Sequence, residues 1–148
     1  MLSGLEFDAG TFPGEDRGFF CPAFLQFGKD YAGARDDYVY IYAPEIKTEE
    51  WEVNKPGEIS LMRVPKLSLA DFEAYEYFGG LNSNGEPVWT VDPSGRKPVF
   101  EDEMNGVIWN FSNKWQSEDG RNFVLIFTGK GRNDSFNSVE GNFILPDS

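Results

Sequence analysis

The sequence predicts an all-β protein built from short antiparallel strands. Aromatic residues make up 16% of the 148 residues, and aromatic side chains favour strands because they pack well on a pleated, half-buried surface. The 16 glycines and 9 prolines interrupt the chain at short intervals, and the segments between them are short, aromatic and β-branched. No close repeat or low-complexity linker divides the chain, so we expect a single domain over residues 1–148.

Three strands are predicted in the first half of the chain. Residues 23–27 are apolar except for Gln26, and this segment ends at Gly28. Residues 38–42 alternate three tyrosines with two β-branched residues, and this period of two places the tyrosines on one face of a strand. Residues 59–64 are mainly apolar up to Pro65, which ends the strand because proline cannot donate a hydrogen bond to the ladder.

A short helix and a hairpin are predicted next. Ser68 is a candidate helix N-cap, and Asp71 lies where a capping box would return the hydrogen bond, so one short helix is expected from this point. Residues 75–81 and 87–91 flank residues 82–85, an Asn- and Gly-rich stretch that is typical of hairpin turns. This pattern predicts a β-hairpin.

The last third of the chain predicts an antiparallel meander. Residues 107–115, 123–128 and 136–145 are predicted to be three consecutive strands separated by polar turns. Residues 47–58 contain several charged residues and a Pro-Gly pair, and we expect them to form a long surface loop. Meanders of this kind occur in β-propellers and in β-sandwiches, so the pattern leaves both architectures open.

The composition excludes several classes of active site and partner. The chain has no histidine, so Ser-His-Asp triads, Cys-His dyads and His-ligated metal sites are excluded within one protomer. Cys21 is the only cysteine, and we expect it to be a small buried residue. Neither a metal ion nor another cofactor is expected. The net charge of -12 repels phosphate backbones and anionic lipids, so neither nucleic acid nor a membrane is expected as a partner.

Targeting signals are not evident in the sequence. The first residues have neither the basic region nor the apolar core of a signal peptide, and no segment approaches the ~18 apolar residues of a membrane-spanning helix. A cytoplasmic location is therefore expected for the chain as written.

Charged residues ahead of the tyrosine-rich strand are the strongest catalytic candidates. Asp36 and Asp37 follow Arg35 at the entry to this strand. Glycoside hydrolysis needs two carboxyl groups about 5–10 Å apart, one ionised and one protonated, and an adjacent arginine can hold one of them ionised. Asp36, Asp37 and Glu76 are thus the candidate catalytic acids. Arg35 and Tyr38 are candidate ligand-binding residues. The alternative is a solvated, charged entry to a strand.

Polar residues on apolar strands and the tryptophans supply the remaining candidates. Arg63 and Glu76 interrupt otherwise apolar strands, where they would either form a cross-strand ion pair or line a central pocket. Trp89, Trp109 and Trp115 would either stack on the faces of sugar rings or belong to the core. Arg63, Trp89 and Trp109 are therefore candidate ligand-binding residues.

Particular segments carry a resemblance to a known family. They are FLQFGKDYAGARDDYVYIY at 24–42 and the shorter segments 61–66, 74–78, 85–90, 97–100, 113–120, 127–129 and 133–137. In this order and spacing they resemble successive blades of a family of largely uncharacterised bacterial proteins, most of them multi-bladed β-propellers with glycoside-hydrolase-like folds. The resemblance covers about residues 20–146. It implies a propeller-like array that binds carbohydrate or hydrolyses glycosidic bonds.

The chain departs from that family in one respect. Family members have at least one further blade between the segments that end near Trp109 and begin near Phe111, so this chain resembles an internally shortened member. A propeller repeat takes about 40–50 residues, so a chain of this length supplies roughly three blades. Propeller active sites draw on several blades, and we therefore expect a non-catalytic, carbohydrate-binding or remnant protein. A glycoside hydrolase that uses paired carboxylates is the alternative.

An open array also predicts self-association. A broken ring leaves unpaired strand edges and an apolar face, and monomers rarely expose more than about 300–600 Å² of apolar surface in one patch. Twofold pairing is the commonest way to cover such a face. We therefore expect a homodimer whose interface draws on the aromatic residues of 19–27 and 107–115.

Overall fold

The computed structural model describes residues 18–19, 22–34, 36–46, 56–107, 112–115, 122–128 and 136–142. In these ranges the chain forms antiparallel strands joined by turns, which confirms the predicted all-β class. The helical segments described there are single 3-10 turns, and none of them has the length or the apolar character that crossing a membrane requires.

The described strands form two antiparallel sheets. The larger sheet contains β1 (Gly18–Phe19), β2 (Ala23–Phe24), β3 (Tyr38–Ile46), β4 (Pro56–Pro65), β5 (Glu76–Leu81), β6 (Pro87–Thr90) and β7 (Pro98–Glu101). The smaller sheet contains β8 (Ser112–Trp115), β9 (Asn122–Thr128) and β10 (Phe136–Asn142), with β9 in the middle. In the larger sheet β3 and β4 form the central pair. Strands β1 and β2 pair with β3, β5 and β7 pair with different parts of β4, and β6 pairs with β5.

The β3–β4 register decides which side chains share a face. Tyr40 lies opposite Arg63, and Tyr42 lies opposite Leu61. Successive residues of a strand point to opposite faces, so the tyrosines of β3 lie on one face, which we call the tyrosine face. Arg63 also lies opposite Glu76 of β5. The tyrosine face therefore continues across three adjacent strands.

Apolar side chains cover both faces of the central strand pair. On the tyrosine face the buried cluster contains Leu25, Phe27, Tyr40, Tyr42, Ile59, Leu61, Val107 and Leu125. On the opposite face it contains Phe19, Val39, Ile41, Ala43, Met62, Val64 and Tyr75. Because Leu125 belongs to β9, the smaller sheet contacts the tyrosine face. Burial on both faces explains why β3 and β4 are apolar at most positions.

A buried ion pair crosses the opposite face. Glu45 is 1% exposed, and its carboxylate accepts hydrogen bonds from the Ser60 hydroxyl and from Arg96 Nε and Nη2, the latter two at 2.7 and 3.0 Å. The Arg96 side chain is 5% exposed and also donates to the Pro93 carbonyl oxygen at 2.7 Å. Its guanidinium lies 5.1 Å from the centroid of the Phe19 ring. The bidentate pair therefore holds the turn before β7 against β3.

The structure confirms most of the predicted strands and changes their lengths. Strands β3 and β4 run beyond the predicted limits, β5 and β6 form the predicted hairpin, and β8 to β10 form the predicted meander. The strand predicted at residues 23–27 ends after Phe24, although the Leu25 N–H still donates to the Tyr40 carbonyl oxygen at 2.9 Å. The sequence predicts neither β1, which at two residues is too short to show a period of two, nor β7.

The prediction of a short helix that begins at Ser68 is wrong. Single 3-10 turns at Lys66–Ser68 and Phe72–Ala74 take its place. Between them Asp71 is extended, with φ -101° and ψ 103°, and its carboxylate accepts a hydrogen bond from the Glu73 N–H. Asp71 therefore caps the second turn instead of closing a capping box with Ser68. Competition of this kind by an Asp side chain disfavours a continuous α-helix.

Two other predictions concern residues that are only partly described. Residues 47–55 of the predicted surface loop, and Cys21, lie outside the described residues. The end of that loop is strand instead, because β4 begins at Pro56.

Several described residues of the two segments predicted to form a homodimer interface are buried within the chain, whereas Phe20, Trp109 and Phe111 lie outside the described residues. Phe19, Phe27 and Val107 are 3%, 3% and 0% exposed, whereas Phe24 is 38% exposed. The first three belong to the chain's own apolar clusters, so they do not supply the exposed face from which the interface was expected. The homodimer itself stays a prediction.

Candidate functional site

Arg63 lies at the centre of a group of polar and aromatic side chains on the tyrosine face. Its guanidinium carbon is 4.2 Å from the centroid of the Tyr38 ring and 4.0 Å from that of Trp89. Its Nε donates a hydrogen bond of 2.6 Å to Oε2 of Glu76. We call this group the Arg63 cluster, and its members are Asp36, Tyr38, Tyr40, Arg63, Glu76 and Trp89.

Strand register brings these side chains together. Arg63 pairs across the sheet with Tyr40 of β3 and with Glu76 of β5. Trp89 enters from β6, where it lies opposite Phe78, and its ring centroid is 6.1 Å from that of Tyr40. Side chains that face each other across adjacent strands have Cβ atoms about 4.5–5.5 Å apart, close enough for an arginine and a glutamate to pair. The ion pair is one of the two arrangements that the sequence predicts for Arg63 and Glu76.

Asp36 joins the cluster at the start of β3. Its Oδ1 accepts a hydrogen bond from the Tyr38 N–H at 2.9 Å, and its Oδ2 accepts one from the Tyr40 hydroxyl at 2.6 Å. The Lys66 ammonium donates to the Asp36 carbonyl oxygen at 2.8 Å. The first bond forms an Asx-type turn that orients the carboxylate locally. Contacts from β3 and from Lys66, the first residue after β4, therefore fix both the side chain and the backbone of Asp36.

The turn that precedes Asp36 has an uncommon backbone. Asp30 and Tyr31 have φ values of 56° and 59°, in the left-handed region that L-residues seldom occupy. The Gly33 N–H donates to the Phe27 carbonyl oxygen at 2.8 Å across this turn, and the rings of Tyr31 and Phe27 are 6.2 Å apart. Each residue in this region costs about 1–2 kcal/mol and persists where the surroundings hold it. Packing on the tyrosine face therefore holds the strained turn next to the cluster.

Tyr40 is a site residue that the sequence pattern alone does not reveal. Its side chain is buried, and burial together with the hydrogen bond and charge of Asp36 raises the pKa of its hydroxyl, whereas Arg63 acts to lower it. The hydroxyl therefore stays protonated at neutral pH and donates to Asp36. The sequence does contain one indication of its position, because the period of two in β3 places Tyr40 on the same face as Tyr38. Identifying its role also requires the register with Arg63.

The cluster reaches the surface without being fully exposed. The side chains of Arg63 and Glu76 are 19% and 29% exposed, and Asp36, Tyr38 and Trp89 are half-buried. Solvent and salt screen an ion pair at this depth less than a pair on the open surface. Ring faces, a guanidinium and two carboxylates are therefore presented together at one position.

Three predicted site residues are not part of the Arg63 cluster as described. The Asp37 side chain is 101% exposed, and its Oδ1 lies 3.3 Å from the Lys66 ammonium. Arg35 and Trp109 lie outside the described residues. The predicted site residues that the structure brings together are Asp36, Tyr38, Arg63, Glu76 and Trp89.

Neither a search for metal-binding groups nor comparison with known proteins gives a further indication of function. In the part of the chain that the structure describes, no group of three His, Cys, Asp or Glu side chains is placed to hold a metal ion. Comparison of the chain with family models, with curated proteins and with solved structures finds no match. The function is therefore inferred from the Arg63 cluster itself.

Proposed function

We propose that this protein is a non-catalytic carbohydrate-binding protein and that the Arg63 cluster is its binding site. The observation that carries the proposal is the position of the Arg63 guanidinium between the rings of Tyr38 and Trp89, with Glu76 at its edge. Aromatic surfaces combined with a few fixed polar groups are typical of preorganised ligand sites.

The chemistry of the cluster suits a sugar ring. Sugar hydroxyls both donate and accept hydrogen bonds, and the cluster offers carboxylate acceptors beside guanidinium donors. Among the described residues, Glu76 uses Oε2 to accept from Arg63, so its Oε1 is available to a ligand hydroxyl. The Arg63 guanidinium lies over the Trp89 ring, and Trp89 as a whole is half-buried, so part of this residue is at the surface. The apolar face of a sugar packs on such a ring.

The charges of the cluster favour an uncharged saccharide. Glu76 neutralises Arg63 at 2.6 Å, and the whole chain carries a net charge of -12. An acidic sugar would be repelled by the chain and would compete with Glu76 for the guanidinium. A neutral saccharide incurs neither cost, so we propose neutral oligosaccharides as the ligand class.

Glycoside hydrolysis is the alternative function, and one observation favours it. Asp36 and Glu76 belong to one network, in which Tyr40 and Arg63 link the two carboxylates. Hydrolysis also needs a carboxylic acid that gives its proton to the leaving group. Both oxygens of Asp36 accept hydrogen bonds, and Glu76 pairs with a guanidinium. Both groups are therefore engaged as acceptors, and this supports binding without turnover.

We also propose a propeller-like array as the architecture that presents this site. The β5–β6 hairpin and the β8–β10 meander are compatible with propeller blades and with a sandwich. The resemblance of residues 24–42 to a propeller blade favours the array. A homodimer would cover its open ends, since twofold pairing buries one patch in both copies.

A glycan array tests the binding site. The wild-type protein is expected to bind some neutral oligosaccharides of glucose, xylose, mannose or galactose. Trp89→Ala is expected to lose about ten-fold or more in affinity, because truncating a central aromatic contact costs about 1.4 kcal/mol or more. Val91→Ala is the matched control, since Val91 follows the same strand, is 71% exposed and lies outside the cluster. It is expected to bind like the wild-type protein.

A second set of variants separates loss of binding from loss of folding. Glu76→Gln keeps the side-chain shape and is expected to weaken binding while the circular dichroism spectrum stays unchanged. If the wild-type protein releases reducing sugar from a bound glycan and the Asp36→Asn variant does not, the protein is a glycoside hydrolase and the proposal of a non-catalytic binding protein is wrong. Glycan binding that is equal in the wild-type, Trp89→Ala and Glu76→Gln proteins would place the site elsewhere and contradict the proposal.

A further inference from the structure

Two Asn-Gly dipeptides lie in turns that the proposed binding site does not use. Asn84 and Gly85 are in the β5–β6 turn, and Asn105 and Gly106 follow β7. In such a dipeptide the glycine nitrogen can attack the side-chain carbonyl carbon of asparagine, because glycine has no Cβ to hinder the approach. Because the two dipeptides are chemically identical, any difference in the rate of this attack must come from the hydrogen bonds and the space around each of them.

The reaction, deamidation, needs only water as a co-reactant. A bond forms between the glycine nitrogen and Cγ of asparagine, and the Cγ–Nδ2 bond breaks. The former glycine N–H proton leaves with the amide nitrogen as ammonia. Water then opens the cyclic imide at one of its two carbonyl carbons, which gives aspartate or isoaspartate. No group is oxidised or reduced, and the product carries one additional negative charge.

Asn105 is held by Asp102 through several contacts. Its Nδ2 donates to both carboxylate oxygens of Asp102, at 3.3 and 3.0 Å, and its backbone N–H donates to Oδ1 at 2.9 Å. The Gly106 N–H donates to the Asp102 carbonyl oxygen at 2.8 Å, and Gly106 is buried. Hydrogen bonds from Asn105 lower the pKa of Asp102, so the carboxylate stays ionised at neutral pH. Attack would require both the leaving amide and the nucleophilic nitrogen to give up these contacts.

Asn84 lies in a more open environment. Its backbone N–H donates to Asn82 Oδ1 at 2.9 Å, whereas its own side-chain amide has no hydrogen-bond partner among the described residues. The Gly85 N–H makes one bond of 3.0 Å, to the Asn82 carbonyl oxygen. Apart from Gly85 and its two chain neighbours, no residue has a heavy atom within 4 Å of the position that a Cβ on Gly85 would occupy. The amide can therefore rotate, and the backbone of Gly85 has room to move toward it.

We infer that Asn84 is a site of spontaneous deamidation in the folded protein and that Asn105 is protected by Asp102. The change would fall in the hairpin that carries two members of the Arg63 cluster. Asn82 Oδ1 holds this turn by accepting from the N–H groups of Asn84 and Glu86, at 2.9 and 3.0 Å. Isoaspartate would lengthen the backbone inside that turn, and either product would add a carboxylate two residues from Glu86.

Incubation of the full chain at mildly alkaline pH, followed by peptide mass mapping and isoaspartate-specific methylation, tests the inference. Asn84 is expected to convert several-fold faster than Asn105 while the protein is folded. In concentrated urea the turn contacts are lost, so the two rates are expected to converge. Equal rates in the folded protein, or a faster reaction at Asn105, would overturn the inference. Protection of both residues until urea is added would overturn it as well.

The variant Asp102→Ala tests the cause of the protection. It removes the carboxylate that holds Asn105 and is expected to raise the Asn105 rate toward that of Asn84, while the Asn84 rate stays the same. An Asn105 rate that does not change in a folded Asp102→Ala protein would contradict the role given to Asp102. If this variant fails to fold, the comparison of the wild-type protein with and without urea still decides the inference.

Discussion

Removing one partner of the buried Glu45–Arg96 pair is expected to destabilise the fold strongly. Arg96→Met replaces the guanidinium with an apolar chain and leaves the Glu45 carboxylate, 1% exposed, with Ser60 as its remaining described donor. Losing one partner of a buried pair costs about 3–5 kcal/mol, because the other charge stays buried without compensation. Domains of this size have about 5–15 kcal/mol of stability in total, so the variant would lose a large share of it.

Urea denaturation followed by tryptophan fluorescence measures this effect. The double variant with Glu45→Leu added to Arg96→Met is expected to recover a substantial part of the loss, because no charge is then buried. Asp37→Asn is the control, since it breaks a pair whose carboxylate is fully exposed and is expected to change the midpoint little. A loss of less than about 1 kcal/mol in Arg96→Met would refute the reasoning that the pair is buried and structurally necessary.

Two further predictions concern titration and backbone conformation. Burial raises the pKa of Tyr42 above its ordinary value of 10.0. Above pH 10.0 the unfolded chain therefore releases a proton that the folded state keeps. The free energy of unfolding should fall there by up to about 1.4 kcal/mol per pH unit for this residue. Urea midpoints on both sides of pH 10.0 should show this fall, and it should be smaller in Tyr42→Phe. Gly57→Ala should lower the free energy of unfolding, measured by urea denaturation, by about 3 kcal/mol, because φ is +77° and a Cβ would collide with the Asp102 carbonyl oxygen. Gly85→Ala, at φ +80° in open space, should cost about 1 kcal/mol, and equal losses in the two variants would contradict the role of the collision.

The strands that could be predicted are those with a strong local pattern. The alternation in β3 and the proline that ends β4 are properties of neighbouring residues, so they are visible in the sequence. The Glu45–Arg96 pair joins residues 51 positions apart, and no local pattern marks either partner. The helix expected at Ser68 fails because Asp71 bonds to its own turn, a competition that helix periodicity does not show.

The candidate site could be predicted in part for the same reason. Arg63 and Glu76 are conspicuous because they are charged residues on apolar strands. Asp36 and Asp37 are adjacent in sequence, yet the first bonds to Tyr40 and the second is exposed to solvent. The Asx turn and the strand register determine that difference, and neither can be obtained from the identity of the residues alone.

The most direct test of the account is an NMR titration of the folded protein with the neutral oligosaccharide that binds best on the array. The indole N–H of Trp89 can be assigned by its absence from the Trp89→Phe spectrum, since the chain has 4 tryptophans. We predict that its signal and that of Arg63 Nε–H, which donates to Glu76, shift together and saturate at one affinity. Saturable binding that leaves both signals unchanged would contradict the assignment of the Arg63 cluster as the carbohydrate site.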